Sequence, residues 1–133
     1  MLNKEIYRGA LKLLGEPFDE ARTEDYADRA PYIIANFISE NASWDAKYRA
    51  FRGEAAAHSR SLSCSSVYAS LDGAFPLSAR YVSAAEYYLA SMLFDGEDGD
   101  RADDFFDRYC KALADILAEI PAVREKIMNV YGV

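Results

Sequence analysis

The chain has 133 residues, of which 51% are hydrophobic and 14% aromatic, which is enough for one domain with a real core and argues against wholesale disorder. The net charge of −7 argues against a protein that grips nucleic acid by neutralising its phosphates. Residues 1–66 carry nine Lys/Arg and ten Asp/Glu, whereas residues 67–133 carry six and twelve. A partner of the C-terminal half is therefore expected to be basic or neutral.

The first helix is predicted from Asn3, as its N-cap, to Leu14, because apolar residues recur at helical spacing between them. Gly15 is the expected stop. The same N-terminal stretch mixes charged residues among its apolar ones, so it does not read as a signal peptide. The sequence also holds no apolar run of membrane-spanning length, and we expect a soluble, cytoplasmic chain without membrane contact.

The second helix is predicted to begin near Thr23, a good N-cap followed by two acidic residues, and to end near Asn41. Pro31 falls inside this stretch and would either kink one helix or start a second one. The apolar period continues across the proline. The sequence therefore favours a single kinked helix.

The middle of the chain, residues 43–75, gives weaker signals. Trp44, Tyr48 and Phe51 are spaced as in a short helix that ends at Gly53. Six serines follow between residues 59 and 70, and serine weakens helices and strands alike. We therefore predict a long loop over residues 54–75 that is mobile or partly extended, and long loops in small domains are usually functional.

Two strongly periodic helices follow in the last third. One is predicted over residues 78–94, capped by Ser78, and the next begins at Asp100 as its cap and ends before Pro121. A last short helix is predicted over residues 123–130, in a C-terminal tail of residues 121–133. With no alternating strand pattern, the chain is predicted to be all-α, a single bundle of four to five helices with a long middle loop.

The acidic loop between these helices, residues 95–100, is the first candidate for a metal site. A helix–loop–helix calcium site needs ligands at positions 1, 3, 5 and 12 and glycine at position 6. Registers starting at Asp95 or at Asp98 both fail, because they place Gly99 or Ala102 at position 5. A solvated turn with a helix cap is the better interpretation, and a weak, irregular cation site is the alternative. We predict no metal or cofactor.

Catalytic chemistry finds little support. His58 is the chain's one histidine and lies among serines near Cys64, but no nucleophile-elbow pattern surrounds it. Glu86 is a carboxylate in an apolar run, for which an ion pair with Arg80 or another arginine is favoured over a functional acid. No phosphate-binding glycine loop is present, and two cysteines make no disulfide framework. Cys110 is predicted to be a small hydrophobe on the apolar flank of its helix, and we predict no catalytic residues.

The ten tyrosines exceed what one small core needs, and tyrosine is favoured at interfaces because it buries apolar area while keeping a polar tip. Sealing the rim of a thin bundle is the alternative explanation. We predict contacts between subunits at five aromatic residues of the two C-terminal helices. These are Tyr81, Tyr87, Tyr88, Phe105 and Tyr109.

Three blocks of the sequence resemble the head-to-tail connector (adaptor) proteins of long-tailed bacteriophages. The run Ala10-Leu11-Lys12-Leu13-Leu14-Gly15-Glu16, with the acidic turn and helix after it, is similar to the opening of a connector. The block from Phe75 to Leu93 looks like the connector's central helix, and Phe105-Phe106-Asp107-Arg108-Tyr109-Cys110 like the helix that follows. The resemblance covers most of the chain except residues 43–74.

This resemblance implies a non-enzymatic virion protein that assembles, in the host bacterial cytoplasm, into a ring beneath the portal protein. Such a ring extends the DNA channel without specific DNA binding and supports the tail-side stopper or completion protein. The loop at residues 54–75 and the tail at residues 121–133 would then contact the portal or a neighbour. Two alternatives remain: a cytoplasmic helical protein-binding or regulatory module acting as a small oligomer and, with less support, a small enzyme built around His58 or Glu86.

Overall fold

The computed structural model describes residues 1–15, 19–54 and 67–120. Within these ranges the chain forms four α-helices and one 3-10 turn that leads directly into the third of them. The prediction of an all-α bundle is confirmed. The predicted helix at 123–130 lies outside the described residues, as does 55–66 of the predicted loop. The elements are α1 (Asn3–Leu14), α2 (Glu20–Arg52), the 3-10 turn (Ala79–Tyr81), α3 (Val82–Phe94) and α4 (Gly99–Ala118).

Helices that follow one another in the chain alternate in direction. Two contacts show that α1 and α3 run parallel. Gly9 lies against Glu86 near the middle of both helices. The last turn of α1 lies near the start of α4, which directly follows the end of α3, because Arg101 Nη2 donates to the Leu14 carbonyl at 2.7 Å. α2 and α4 run the opposite way. The described helices therefore form an up-down-up-down bundle.

Helix α3 occupies the centre of the bundle and packs against α1, α2 and α4. Ala84, Ala85 and Ala90 are buried, and their small side chains allow the neighbouring helices to approach closely. Larger buried residues fill the spaces between the helices. They include Ile6, Leu14, Ile34, Phe37, Leu89, Leu93, Phe94 and Ile116.

Helix α2 corrects two predictions. It begins earlier, because the Asp19 carboxylate rather than Thr23 caps it by accepting the Arg22 N–H at 2.8 Å. It also continues through Pro31 to Arg52, so the two helices predicted over 23–41 and 44–53 are one. No glycine or proline lies between those two stretches to end the first. The helix stops at Gly53 as predicted, where a φ of 72° suits glycine.

Two other helix starts are displaced by one or two residues. The N-cap of α4 is Asp98 rather than Asp100, and its carboxylate accepts the Arg101 N–H. The N-cap of α1 is Leu2, whose N–H donates to the Glu5 carboxylate at 2.7 Å. Ser78 does cap its segment, but the first turn there is 3-10.

The segment that leads into α3 belongs in part to the loop predicted to be mobile or partly extended, and it is held on two sides. On one side Leu2 forms an antiparallel bridge with Ala74, and the Phe75 N–H donates to the Met1 carbonyl at 2.8 Å. On the other side two polar residues of α2 bind the chain at Pro76 and Ser78. These bonds fix the direction in which the chain enters the central helix.

Candidate interaction surfaces

Four of the five residues predicted to contact a neighbouring subunit belong to the core. Tyr81 has no exposed surface, and Tyr88, Phe105 and Tyr109 are buried as well. Tyr87 is partly buried at the edge of the core. Because α3 is central, residues on several sides of it meet other helices rather than solvent.

The buried rings form one aromatic cluster between α2, α3 and α4. The centroid of Tyr88 lies 5.1 Å from that of Tyr109 and 5.7 Å from that of Phe37. Burial raises the pKa of Tyr88 to about 12 and also raises the pKa of Tyr109, so both phenols stay protonated at neutral pH. The Tyr109 hydroxyl hydrogen-bonds the buried Asn41 side chain. This cluster holds the bundle together.

The aromatic surface that is exposed lies elsewhere. Tyr32 of α2 is 54% exposed and makes an edge contact at 5.2 Å with Tyr68, which is 50% exposed, beside exposed Val67. Phe51 near the end of α2 is 50% exposed, and Phe106 of α4 is 40% exposed. The sequence held a signal for Tyr32, which falls outside the apolar stripe that Tyr26, Ala30, Ile33 and Phe37 form at helical spacing.

A buried ion pair at the end of α2 was missed from the sequence. Asp45 is 2% exposed, and its carboxylate accepts from Arg49 Nε and from the Ser78 N–H, both at 2.9 Å. Arg49 Nη2 also donates to the Pro76 carbonyl at 3.1 Å. The i,i+4 spacing of the two residues could have suggested the pair. Its burial depends on a segment about thirty residues further along the chain, so the two residues act as a clamp rather than a reactive site.

Glu86, the one carboxylate predicted to have a special environment, lies over Gly9 of α1. A Cβ added at Gly9 would fall 2.4 Å from Glu86 Oε2. The predicted ion pair with Arg80 is wrong, because Arg80 instead binds Glu119 at 2.7 Å. Burial raises the pKa of the Glu86 carboxyl, and within the described residues no hydrogen bond or ion pair offsets it. Glu86 faces a helix backbone, with no second polar group for acid–base chemistry in the part of the chain described.

The acidic loop before α4 works as a turn and a cap. Glu97 pairs with Arg22 at 3.4 Å, and Asp98 caps the helix. Over residues 1–15, 19–54 and 67–120, no group of three or more His, Cys, Asp or Glu side chains is placed to hold a metal ion. Cys110 is exposed rather than apolar-flanking, because its neighbour Tyr109 is the residue that points inward. His58 and Cys64 lie outside the described residues.

Comparisons with protein-family models, with curated proteins and with solved structures find no match. In the described part of the chain, no helix combines the length and apolar character needed to cross a membrane. The geometry shows exposed aromatic residues on a helical scaffold. Such surfaces are suited to binding other macromolecules.

Proposed function

We propose that the chain is a head-to-tail connector (adaptor) of a long-tailed phage or prophage. In this role it forms a ring beneath the portal protein and joins the capsid to the tail, without enzymatic activity. The observation that carries the proposal is the position of α3. The block from Phe75 to Leu93, which resembles the central helix of a connector, is also the central helix of this bundle.

Two further features support a ring component. In a head-to-tail ring each protomer uses two different surfaces, and the exposed aromatic residues here lie on two different helices, with Phe51 on α2 and Phe106 on α4. The negative charge of the chain also suits a channel that lets DNA pass without gripping its phosphates.

Co-expression with the portal protein of the same phage genome tests the proposal. Affinity capture of the portal, followed by electron microscopy, should show a cyclic layer of added density on the portal ring. A tail-side stopper protein should then bind the portal with its added layer and not the bare portal. Absence of binding, with both proteins folded and the portal already a ring, would contradict the connector role.

The exposed Tyr32–Tyr68 pair favours a second candidate, a helical binding module that acts as a small closed oligomer. A two-fold contact through this pair would give a dimer that is stable without any phage protein. Sedimentation of the Tyr32→Ala variant tests it, because this dimer should dissociate while the helical content is unchanged. A protein that stays associated in this variant does not use the pair in this way.

A further inference from the structure

Two carboxylates flank the exposed ring of Phe106 on α4. Asp103 and Asp107 are both exposed and lie four residues apart on one helix face, where like charges repel each other. Neither forms an ion pair within the described ranges, whereas the neighbouring Asp104 is paired with Arg108 at 3.2 Å. We call Asp103, Phe106 and Asp107 the acidic patch. It presents an apolar centre and two negative charges that form no ion pair in the described ranges.

The end of α2 has the opposite character. Trp44, Lys47 and Phe51 recur at helical spacing along one side, with the Lys47 ammonium 4.7 Å from the centroid of the Trp44 ring. Lys47, Phe51 and Arg52 are exposed. We call Trp44, Lys47, Phe51 and Arg52 the α2 tip. It presents an apolar centre and two positive charges.

The two surfaces cannot meet within one protomer. α2 and α4 run in the same direction, and Arg52 at the end of α2 lies near Glu119, just after α4. The pKa of the Glu119 carboxyl reflects this arrangement, because it is lowered by the hydrogen bond from Arg80 and, more weakly, by the charge of Arg52. Phe106 lies thirteen residues before Glu119, about 20 Å away along the helix at 1.5 Å per residue. Phe51 and Arg52 therefore lie too far along the bundle from Phe106 to contact it in the same protomer.

We infer that the acidic patch binds the α2 tip of a second copy of this chain. Phe51 and Phe106 would pack at the centre of the contact, with Lys47 and Arg52 neutralising Asp103 and Asp107 around them. Because the two surfaces differ, the contact is head-to-tail and leaves a free patch and a free tip at the ends of every pair. This is the geometry from which rings are built, so the inference specifies the lateral contact of the proposed connector ring and rests on that proposal.

Charge reversal tests the inference. One variant carries Asp103→Lys and Asp107→Lys, and the other carries Lys47→Glu and Arg52→Glu. Each variant then has like charges on both surfaces, so its self-association should weaken at least about tenfold in sedimentation velocity at low salt. Mixed one to one, the two variants carry opposite charges on every facing pair of surfaces and should recover the association. High salt should weaken association of the wild-type chain by screening these charges.

The chain offers a matched control for the first variant. Glu24 and Asp28 of α2 are also exposed and four residues apart, and they occupy the fifth and ninth positions of their helix, as Asp103 and Asp107 do in theirs. Reversing both to lysine changes the net charge equally and should leave association as in the wild type. Thermal melts followed by circular dichroism check that all variants are folded.

Three results would overturn the contact: a wild-type chain that stays monomeric at millimolar concentration and low salt, reversal variants that associate like the control, or a mixture that fails to recover. None of them depends on the portal. If the portal captures the chain while charge reversal has no effect on association, the lateral contact is wrong and the connector role stands. If the charge swap behaves as expected and no portal binding occurs, the head-to-tail contact stands and the connector role is wrong.

Discussion

Two carboxylates in this bundle lie in contrasting surroundings. Asp45, at the end of α2, is almost fully buried, and it accepts hydrogen bonds from Arg49 and from the Ser78 backbone. Glu86, in the middle of α3, is partly buried over Gly9 with no partner in the described structure. The difference comes from the backbone that each one faces. Ser78 precedes a helical turn and has a free N–H to offer, whereas the amides around Gly9 are used inside α1.

The comparison teaches that burial alone does not decide what a carboxylate contributes to stability. A buried charge that has all its hydrogen-bond and ion-pair partners holds structural elements together. A buried charge without partners lowers the stability of the fold. The predictions below change one side of this comparison at a time.

Replacing Asp45 with alanine should have the largest effect. It leaves the Ser78 N–H without an acceptor and Arg49 without its carboxylate, so we expect unfolding to become easier by about 3–5 kcal/mol. Urea denaturation at pH 7 measures the change. Asp25→Ala, which breaks the exposed pair of Asp25 with Arg29, is the control and should cost below about 1 kcal/mol. Equal losses in the two variants would show that Asp45 does not act as a clamp.

Helix content could be predicted from the sequence better than the contacts between helices. The periods of α1, α3 and α4, and the stops at Gly15 and Gly53, depend on residues close together in the chain. The structure reproduces these helices within one or two residues at each end, except that the first turn predicted for α3 is 3-10. The division of α2 into two helices was wrong because the polar residues near Asn41 weaken the local signal, while burial against the bundle favours one continuous helix.

The roles of individual side chains were harder to predict for the same reason. Asp45 becomes a clamp because of Ser78, thirty-three residues away. Tyr81 and Tyr88 become core residues because α3 has helices on three sides. Phe51 and Phe106 are exposed because of how the helices are oriented in the bundle. Sequence spacing predicts that a helix has faces, but it does not predict how many of those faces other helices cover.

Gly9 of α1 tests the contact below Glu86, and Gly15, just after the helix, provides the comparison. Gly15 has a φ of 76°, which a side chain disfavours, so Gly15→Ala should cost about 1–2 kcal/mol. Gly9 has ordinary helical geometry, and Gly9→Ala should instead leave stability unchanged or raise it by up to about 1 kcal/mol. The new methyl group should displace the flexible Glu86 carboxylate toward solvent and lower its pKa toward 4.5. Carboxyl NMR titration measures this shift, and a strongly destabilised Gly9→Ala variant would show that the carboxylate cannot move.

Two buried tyrosines offer the same comparison, between a buried polar group with a partner and one without, for a neutral hydroxyl instead of a carboxylate. Tyr109 hydrogen-bonds Asn41, whereas the buried Tyr81 hydroxyl has no hydrogen-bond partner in the described structure. Tyr109→Phe should therefore cost about 1 kcal/mol, and Tyr81→Phe should cost nothing or stabilise slightly. Thermal melts of the two variants side by side measure the difference. A larger loss in Tyr81→Phe would reveal a partner for that hydroxyl.

Glu86→Gln should have the smallest effect, and its sign should be opposite to that of Asp45→Ala. Because burial raises the pKa of the folded carboxyl, the neutral form is the one that suits the fold. The stability that the neutral form provides is fully present below the unfolded pKa near 4.5, and it is lost as the pH rises through the higher folded pKa. Glutamine keeps the shape without the charge, so the variant should be more stable than the wild type by about 0.5 kcal/mol at pH 7. The advantage should disappear below pH 4.5, where both side chains are neutral. Urea denaturation of the two proteins across this pH range measures it, and a variant less stable than the wild type at pH 7 would mean that the Glu86 carboxylate has a favourable partner when ionised.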